Sequence, residues 1–87
     1  MEREYFQPQA GRKYLNRNGV TYFCVESLDN NSAKFISVTS GYTLTAYGCQ
    51  KYEDGTIEWD GSIGNTFEDV NKYVENYGFD SSLLVRS

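Results

Sequence analysis

Histidine is absent from this sequence of 87 residues, and cysteine and proline are scarce, with two copies and one copy respectively. Without histidine the chain has no Ser-His-Asp triad, no imidazole base at neutral pH and none of the usual zinc sites that use imidazole. Cys24 and Cys49 lack C-x-x-C spacing, and one possible bridge does not make a disulfide-rich secreted scaffold. We therefore expect two reduced thiols that behave as small buried hydrophobes in a cytoplasmic protein.

Long apolar runs are also missing. No stretch approaches 18 residues and no charged-then-apolar leader opens the chain, so we expect neither a membrane span nor a signal peptide. A chain of this length makes one domain, which we place over 1–87, with 1–11 as a flexible tail or an irregular first strand. Eight tyrosines and five phenylalanines favour pleated, half-buried surfaces.

Short runs of β-branched and aromatic residues separated by turn residues predict a mainly β fold of the α+β class. Strands are expected at 12–15, 20–28, 33–39 and 42–52, with a fifth returning after Asp54-Gly55. Gly48 should mark a bulge or a sharp bend in the fourth strand. Consecutive strands joined by tight turns tend to pair in order. We therefore predict a five-stranded antiparallel meander over 12–60, folded as a small SH3-like barrel or a bent sheet.

The dipeptide Asp54-Gly55 is the strongest hairpin signal in the chain. A two-residue loop at this point would place Tyr52, Ile57 and Trp59 on one face of the hairpin. The predicted cross-strand pairs are Glu53 with Thr56, Tyr52 with Ile57, and Lys51 with Glu58.

A helix is predicted over 66–78, packed on the sheet, and a short closing strand over 82–86. Thr66 suits the residue that caps the start of the helix, and Gly78 suits the residue just after its end. The apolar stripe follows helical spacing and consists of Phe67, Val70, Val74 and Tyr77.

Acidic side chains are concentrated in the second part of the chain. Residues 1–51 carry six basic and four acidic side chains, whereas 52–87 carry two basic and eight acidic ones. An acidic surface disfavours phosphate and suits a protein partner with a basic groove. The candidate partner-binding residues are Tyr52, Glu53, Asp54, Glu58, Asp60, Glu68 and Asp69.

The run YEDGTIEWDG, residues 52–61, has other interpretations. It lacks the D-x-[DN]-x-[DN]-G spacing of a calcium loop. Two carboxylates can act as a glycosidase acid and base, but no sugar-binding cleft is evident in so short a chain. A solvated hairpin face with a Lys51–Glu58 pair is the simplest alternative to a recognition surface. We expect no catalytic residue, no metal and no cofactor.

Tyrosines on the predicted strands offer a second candidate surface. Aromatic rings on a sheet can stack unpaired bases when cations surround them. Arg12, Lys13 and Arg17 lie near the first turn, close to Tyr14 and Tyr22. The alternative function is therefore an SH3-like adaptor or a nucleic-acid-binding module, unless these rings are core.

The segment SGYTLTAYGCQKYEDGTIEWD, residues 40–60, resembles short proteins of phages and mobile elements in anaerobic gut bacteria. The shared pattern is G-aromatic-T-x-T-A-x-G followed by Y-x-D-G-T-I-E-W-D, here Gly41 to Gly48 and Tyr52 to Asp60. The resemblance brings no catalytic residues. It implies a bacterial host cell, in which small acidic proteins of this origin often bind and block a host enzyme, CRISPR nucleases included. We expect a non-enzymatic protein that binds and modulates or inhibits a host protein.

Overall fold

A computed structural model of the chain describes residues 2–67, which form eight β-strands. These are β1 (Arg3–Tyr5), β2 (Lys13–Leu15), β3 (Thr21–Ser27), β4 (Ala33–Ser37), β5 (Tyr42–Tyr47), β6 (Gln50–Tyr52), β7 (Ile57–Glu58) and β8 (Gly61–Phe67).

The strands form two antiparallel sheets. The five-stranded sheet has the order β2-β3-β4-β5-β8, and the three-stranded sheet has the order β1-β6-β7. The predicted mainly β fold and the sequential pairing from β2 to β5 are confirmed. A parallel bridge between Asn16 and Ile57 joins the sheets, supported by an N–H of Arg17 that donates to the carbonyl of Ile57 at 3.0 Å.

One long bent hairpin belongs to both sheets. The cross-strand pairing runs from Thr45 and Ile63 in the five-stranded sheet to Lys51 and Ile57 in the other, without a change of register. The bend lies where Gly48 faces Asp60, and the amide of Asp60 donates to the carbonyl of Tyr47 at 2.9 Å. The predicted interruption at Gly48 is therefore a corner at which two strands turn together.

The central strands of the five-stranded sheet, β3 and β4, are buried on both faces. In β3, Tyr22 and Cys24 belong to the main core cluster, while Phe23 and Val25, which alternate with them, are also buried. Burial on both sides explains why this strand is continuously apolar. In β5, Leu44 and Ala46 lie in the core cluster, as their period-two spacing predicts.

The three-stranded sheet closes one end of the core. Cys49 and Ile57 are fully buried in the cluster, and Trp59 packs against it. The Trp59 ring stacks on Phe35 with centroids 5.3 Å apart and meets Tyr22 edge-on at 5.2 Å. Aromatic contacts of this kind add about 0.5–1.5 kcal/mol each beyond area burial.

The two ends of the described fold differ in part from the prediction. Of the two alternatives for 1–11, a tail or a first strand, residues 3–5 form a strand, β1, on the edge of the three-stranded sheet, and residues 61–64, to which no element was assigned, belong to β8. Thr66 and Phe67 pair with Thr43 and Tyr42 in β8 and do not open a helix. Strand pairing with β5 satisfies their backbone groups, and this outweighs the local capping signal. The rest of the predicted helix and the strand over 82–86 lie outside the described residues.

Two hairpin loops have the same construction. In each, an Asn-Gly or Asp-Gly pair ends a three-residue loop, over 17–19 and 53–55. Gly19 and Gly55 have φ of 92° and 88°, and their amides donate three residues back, to Asn16 and Tyr52. This is the geometry of a type I turn closed by a left-handed residue. The turn at Asp54-Gly55 was predicted correctly, but its two-residue length is wrong.

Within residues 2–67 there is no helix long and apolar enough to cross a membrane.

Candidate interaction surface on the three-stranded sheet

The three-residue loop shifts the predicted hairpin register by one position. Lys51 pairs with Ile57 and Gln50 with Glu58, and the amide of Tyr52 donates to the carbonyl of Thr56 at 2.9 Å. The predicted Lys51–Glu58 pair and the Tyr52–Ile57 pair are therefore wrong. Because successive side chains alternate between faces, Tyr52 moves to the face of Glu58, and Lys51 moves to the face of Ile57.

Asp54 holds this loop together. Its Oδ1 accepts hydrogen bonds from the amide of Thr56, at 2.9 Å, and from the Thr56 hydroxyl. Its Oδ2 lies 3.5 Å from the guanidinium of Arg17. The hydroxyl bond, followed by the amide bond and the nearby Arg17, holds the pKa of Asp54 below its ordinary value. The Asp54 carboxylate is therefore already engaged in contacts that stabilise the loop.

Tyr52 lies between two arginines. The Arg17 guanidinium stands 4.1 Å from the centroid of the Tyr52 ring and donates to Thr56 Oγ1 at 3.0 Å. Arg3 donates to the Tyr52 hydroxyl at 3.3 Å, and that hydroxyl donates to Glu58 Oε2 at 2.6 Å. The ring and the carboxylate are thus fixed by side chains from three different segments of the chain.

A second tyrosine is anchored at the corner of the bent hairpin. The hydroxyl of Tyr5 donates to Asp60 Oδ2 at 3.0 Å, and the Gln50 amide donates to Asp60 Oδ1. The hydrogen bond to Asp60 and the charge of that carboxylate raise the pKa of Tyr5. Gln50 is only 2% exposed, whereas Tyr5 is 59% exposed. The corner therefore has a buried amide beneath an exposed ring.

We use the name outer face for the side of the three-stranded sheet that is turned away from the core. This face presents Arg3, Tyr5, Tyr52, Glu58 and Asp60. Arg17 reaches it from the loop at 17–19. The opposite side of the same sheet carries Cys49, Ile57 and Trp59, which contact the core cluster.

Glu53 differs from the other hairpin acids, because no hydrogen bond or ion pair holds it among residues 2–67. It lines a groove of about 690 Å³, which we call the β1 groove. Its described lining residues are Glu2, Arg3, Glu4, Phe6, Lys51, Tyr52 and Glu53.

The predicted basic and tyrosine surface is divided in the structure. Tyr14 and Tyr22 are buried in the core cluster, and their rings are edge-on to Phe35 at 6.1 Å. Buried rings cannot stack on bases, so the tyrosine surface that the nucleic-acid alternative requires is not accessible. Arg12 and Lys13 are exposed at the start of β2, while Arg17 contacts the acidic hairpin from the loop at 17–19. Of the predicted acids, Glu68 and Asp69 lie outside the described residues.

Both thiols are buried and free. Burial raises the pKa of Cys24 to about 11 and that of Cys49 to about 12, so neither is a thiolate at neutral pH. In the part of the chain that the structure describes, no three acidic or thiol side chains form a group that could hold a metal ion.

Arg3 and Tyr5 are the outer-face residues that sequence reasoning missed. The only available signal was the alternation of charged and aromatic residues in the short run EREYF, which is too short to distinguish a strand from a tail.

No family model, curated protein or solved structure matches this chain at a significant level.

Proposed function

We propose that this protein is a non-enzymatic binding protein that attaches to a host protein through the outer face of its three-stranded sheet. The observation that carries the proposal is the exposed network in which Tyr5 and Tyr52 are held by hydrogen bonds to Asp60 and Glu58. Binding to the basic surface of an enzyme would modulate or inhibit that enzyme.

The composition of this face supports a protein partner. Tyrosine and arginine are enriched at the energetic centres of protein interfaces, since each gives a large contact area with a polar end. Here Tyr52 is flanked by Arg3 and Arg17. Side chains that are already ordered lose less conformational entropy on binding, so less of the contact energy is cancelled.

The charge of the three-stranded sheet supports a basic partner. Strands β1, β6 and β7 with their flanking residues carry six carboxylates and two cations, to which Arg17 adds a third. The acids are Glu2, Glu4, Glu53, Asp54, Glu58 and Asp60. The excess of negative charge would steer a basic surface towards this end of the molecule.

The proposal includes an SH3-like barrel as the fold of the protein. The two sheets, the bent hairpin and the bridge between Asn16 and Ile57 are compatible with a small SH3-like barrel. The helix that was predicted over 66–78 lies, from residue 68 onward, outside the described residues. The resemblance of residues 40–60 to phage and mobile-element proteins supports a bacterial host cell as the setting.

The proposal is tested by capture from a bacterial host lysate, with and without nuclease treatment. The full chain and two variants are immobilised separately. One variant is Tyr52→Ala, and the control is Tyr47→Ala, which removes an exposed tyrosine of β5. We expect a protein that survives nuclease, is lost with Tyr52→Ala and is kept by Tyr47→Ala. Loss of every bound protein on nuclease treatment would favour the nucleic-acid alternative.

Once that protein is purified, charge reversal separates steering from contact. Glu53→Lys is the cleaner variant, because Asp54 also supports the loop. Reversal of an exposed charge should mainly slow association, and the difference should shrink as ionic strength rises past about 0.15 M, where the screening length is about 8 Å. An unchanged association rate at low salt would show that the acidic hairpin does not steer the partner.

A further inference from the structure

The β1 groove has a defined floor. Glu4 lies opposite Lys51, and Glu2 and Glu53, which both line the groove, directly flank the last strand pair, Arg3 with Tyr52. Since side chains alternate along strands, Glu2, Glu4 and Phe6 share the core-side face of β1. The Lys51 ammonium stands 5.4 Å from the centroid of the Phe6 ring. The floor is therefore an aromatic ring with three carboxylates and one ammonium around it.

Two carboxylates of this groove lie just beyond the ends of the paired strands. Like charges that line one groove repel each other, and no described residue forms an ion pair with Glu2 or Glu53. Against the three carboxylates the groove has two cations, Lys51 and Arg3, so its described lining keeps one net negative charge. A cation placed between Glu2 and Glu53 would relieve the repulsion, and a long aliphatic stem beneath that cation would suit the face of Phe6.

The edge of β1 offers backbone groups to the same occupant. Strand β1 is the terminal strand of its sheet and pairs only with β6 among the described strands. The amide of Phe6 donates inward, to the carbonyl of Cys49 at 3.0 Å. Because inward and outward groups alternate along an antiparallel strand, the amides of Arg3 and Tyr5 point outward. An extended segment could pair with both.

We propose that the β1 groove binds an extended segment of a partner protein that carries lysine or arginine at alternate positions. The segment adds to the edge of β1 as a further strand, and a cationic side chain enters the groove between Glu2 and Glu53. This inference rests on the proposed function and assigns to its partner a form and a binding position. The last 20 residues of the chain carry four acidic and two basic side chains, so charge does not favour them as the occupant.

The proposal is tested without knowledge of the partner. The ¹⁵N-labelled full chain is titrated with a capped six-residue peptide in which lysine alternates with threonine, and with the same peptide carrying glutamate in place of lysine. We expect saturable amide shifts in β1 and β6 with the lysine peptide only, together with slower hydrogen exchange at Arg3 and Tyr5. Equal binding of the glutamate peptide, absence of saturation, or shifts outside β1 and β6 would overturn it.

Variants that each remove one negative charge test where the lysine peptide binds. Glu2→Gln and Glu53→Gln should each weaken binding of the lysine peptide roughly three- to fivefold, as expected for exposed charge pairs. Asp29→Asn removes one negative charge at an exposed loop residue that does not line the groove and should leave the affinity unchanged. Equal effects of all three variants would reduce the binding to net charge and overturn the assigned position.

The two proposals can fail separately. The outer-face contact fails if Tyr52→Ala does not change capture of the partner. The groove proposal fails if the lysine peptide does not select β1 and β6, even when a protein partner that depends on Tyr52 has been captured.

Discussion

The carboxylate of Asp60 occupies the space that a side chain at position 48 would need. Gly48 has φ of 66°, and a Cβ built on it would overlap the Oδ2 and Cγ atoms of Asp60. Asp60 cannot move aside without breaking its hydrogen bonds to Tyr5 and Gln50. The corner of the long hairpin therefore requires glycine for two independent reasons.

Gly48→Ala is accordingly expected to be more costly than the same change in a loop. Gly55 has φ of 88° but open space around it, so Gly55→Ala carries only the backbone strain of about 1–2 kcal/mol. Gly48→Ala should lower the free energy of unfolding by roughly 1–2 kcal/mol more. Urea denaturation of both variants measures the difference, and an equal loss would show that Asp60 yields easily.

The contacts of Arg17 with the hairpin are expected to depend on the guanidinium and not only on the charge. Arg17→Ala should lower the free energy of unfolding by about 1 kcal/mol, since the ion pair is more than one-third exposed and the ring contact adds a modest amount. Arg17→Lys keeps the charge but loses the planar group that spans Tyr52 and Thr56. We expect an intermediate stability for it by thermal denaturation, and wild-type stability would contradict this account.

The stability of the loop is expected to fall at acidic pH because of Asp54. Its folded pKa is below the ordinary value of 3.8, so its contribution is present above that value and is lost as pH falls through the folded pKa. NMR titration of the carboxyl carbon should show a larger upward pKa change in Thr56→Val than in Arg17→Ala, because the hydroxyl bond is the largest cause. The reverse order would make Arg17 the main partner.

Both cysteines are expected to be inert in the native state. With pKa values of about 11 and 12 for Cys24 and Cys49, a thiol reagent at pH 8 should react slowly until urea unfolds the chain. A folded pKa raised above the unfolded value gives stability that is present below about pH 9 and is lost as pH rises towards 11–12. Fast labelling without denaturant would show that the core opens readily at these positions.

The strands of the five-stranded sheet were predictable where local sequence decides the structure. Residues 21–27, 33–37 and 42–47 are rich in β-branched and aromatic residues, which suit a pleated surface with buried neighbours. Gly48 was identified as a bend because a glycine interrupts an alternating strand. The sequence did not show that the opposite strand bends at the same place. That bend depends on Asp60, which lies across the hairpin from Gly48.

The hairpin register was not predictable from its turn residues. An Asp-Gly pair requires a left-handed glycine in both two-residue and three-residue loops. The longer loop is favoured here by the Asp54 carboxylate, which bonds Thr56, and by Arg17, which arrives from the preceding hairpin. Local sequence does not show that residues 17 and 54 are neighbours. For the same reason the acidic candidates were found without the arginine that neutralises part of their charge.

The order of pairing in the three-stranded sheet has a consequence for biosynthesis. Arg3 pairs with Tyr52, so β1 is synthesised before its partner strand and stays unpaired until β6 has followed. At typical elongation rates the wait is roughly 3–10 s. During that time the charges of Arg3 and Glu4 hinder the pairing of β1 with the edge of another sheet, because these side chains resist burial in an apolar contact. The end of the molecule that presents the proposed binding surfaces is therefore completed only after β2 to β5 have been synthesised, with β8 of the described strands still to follow.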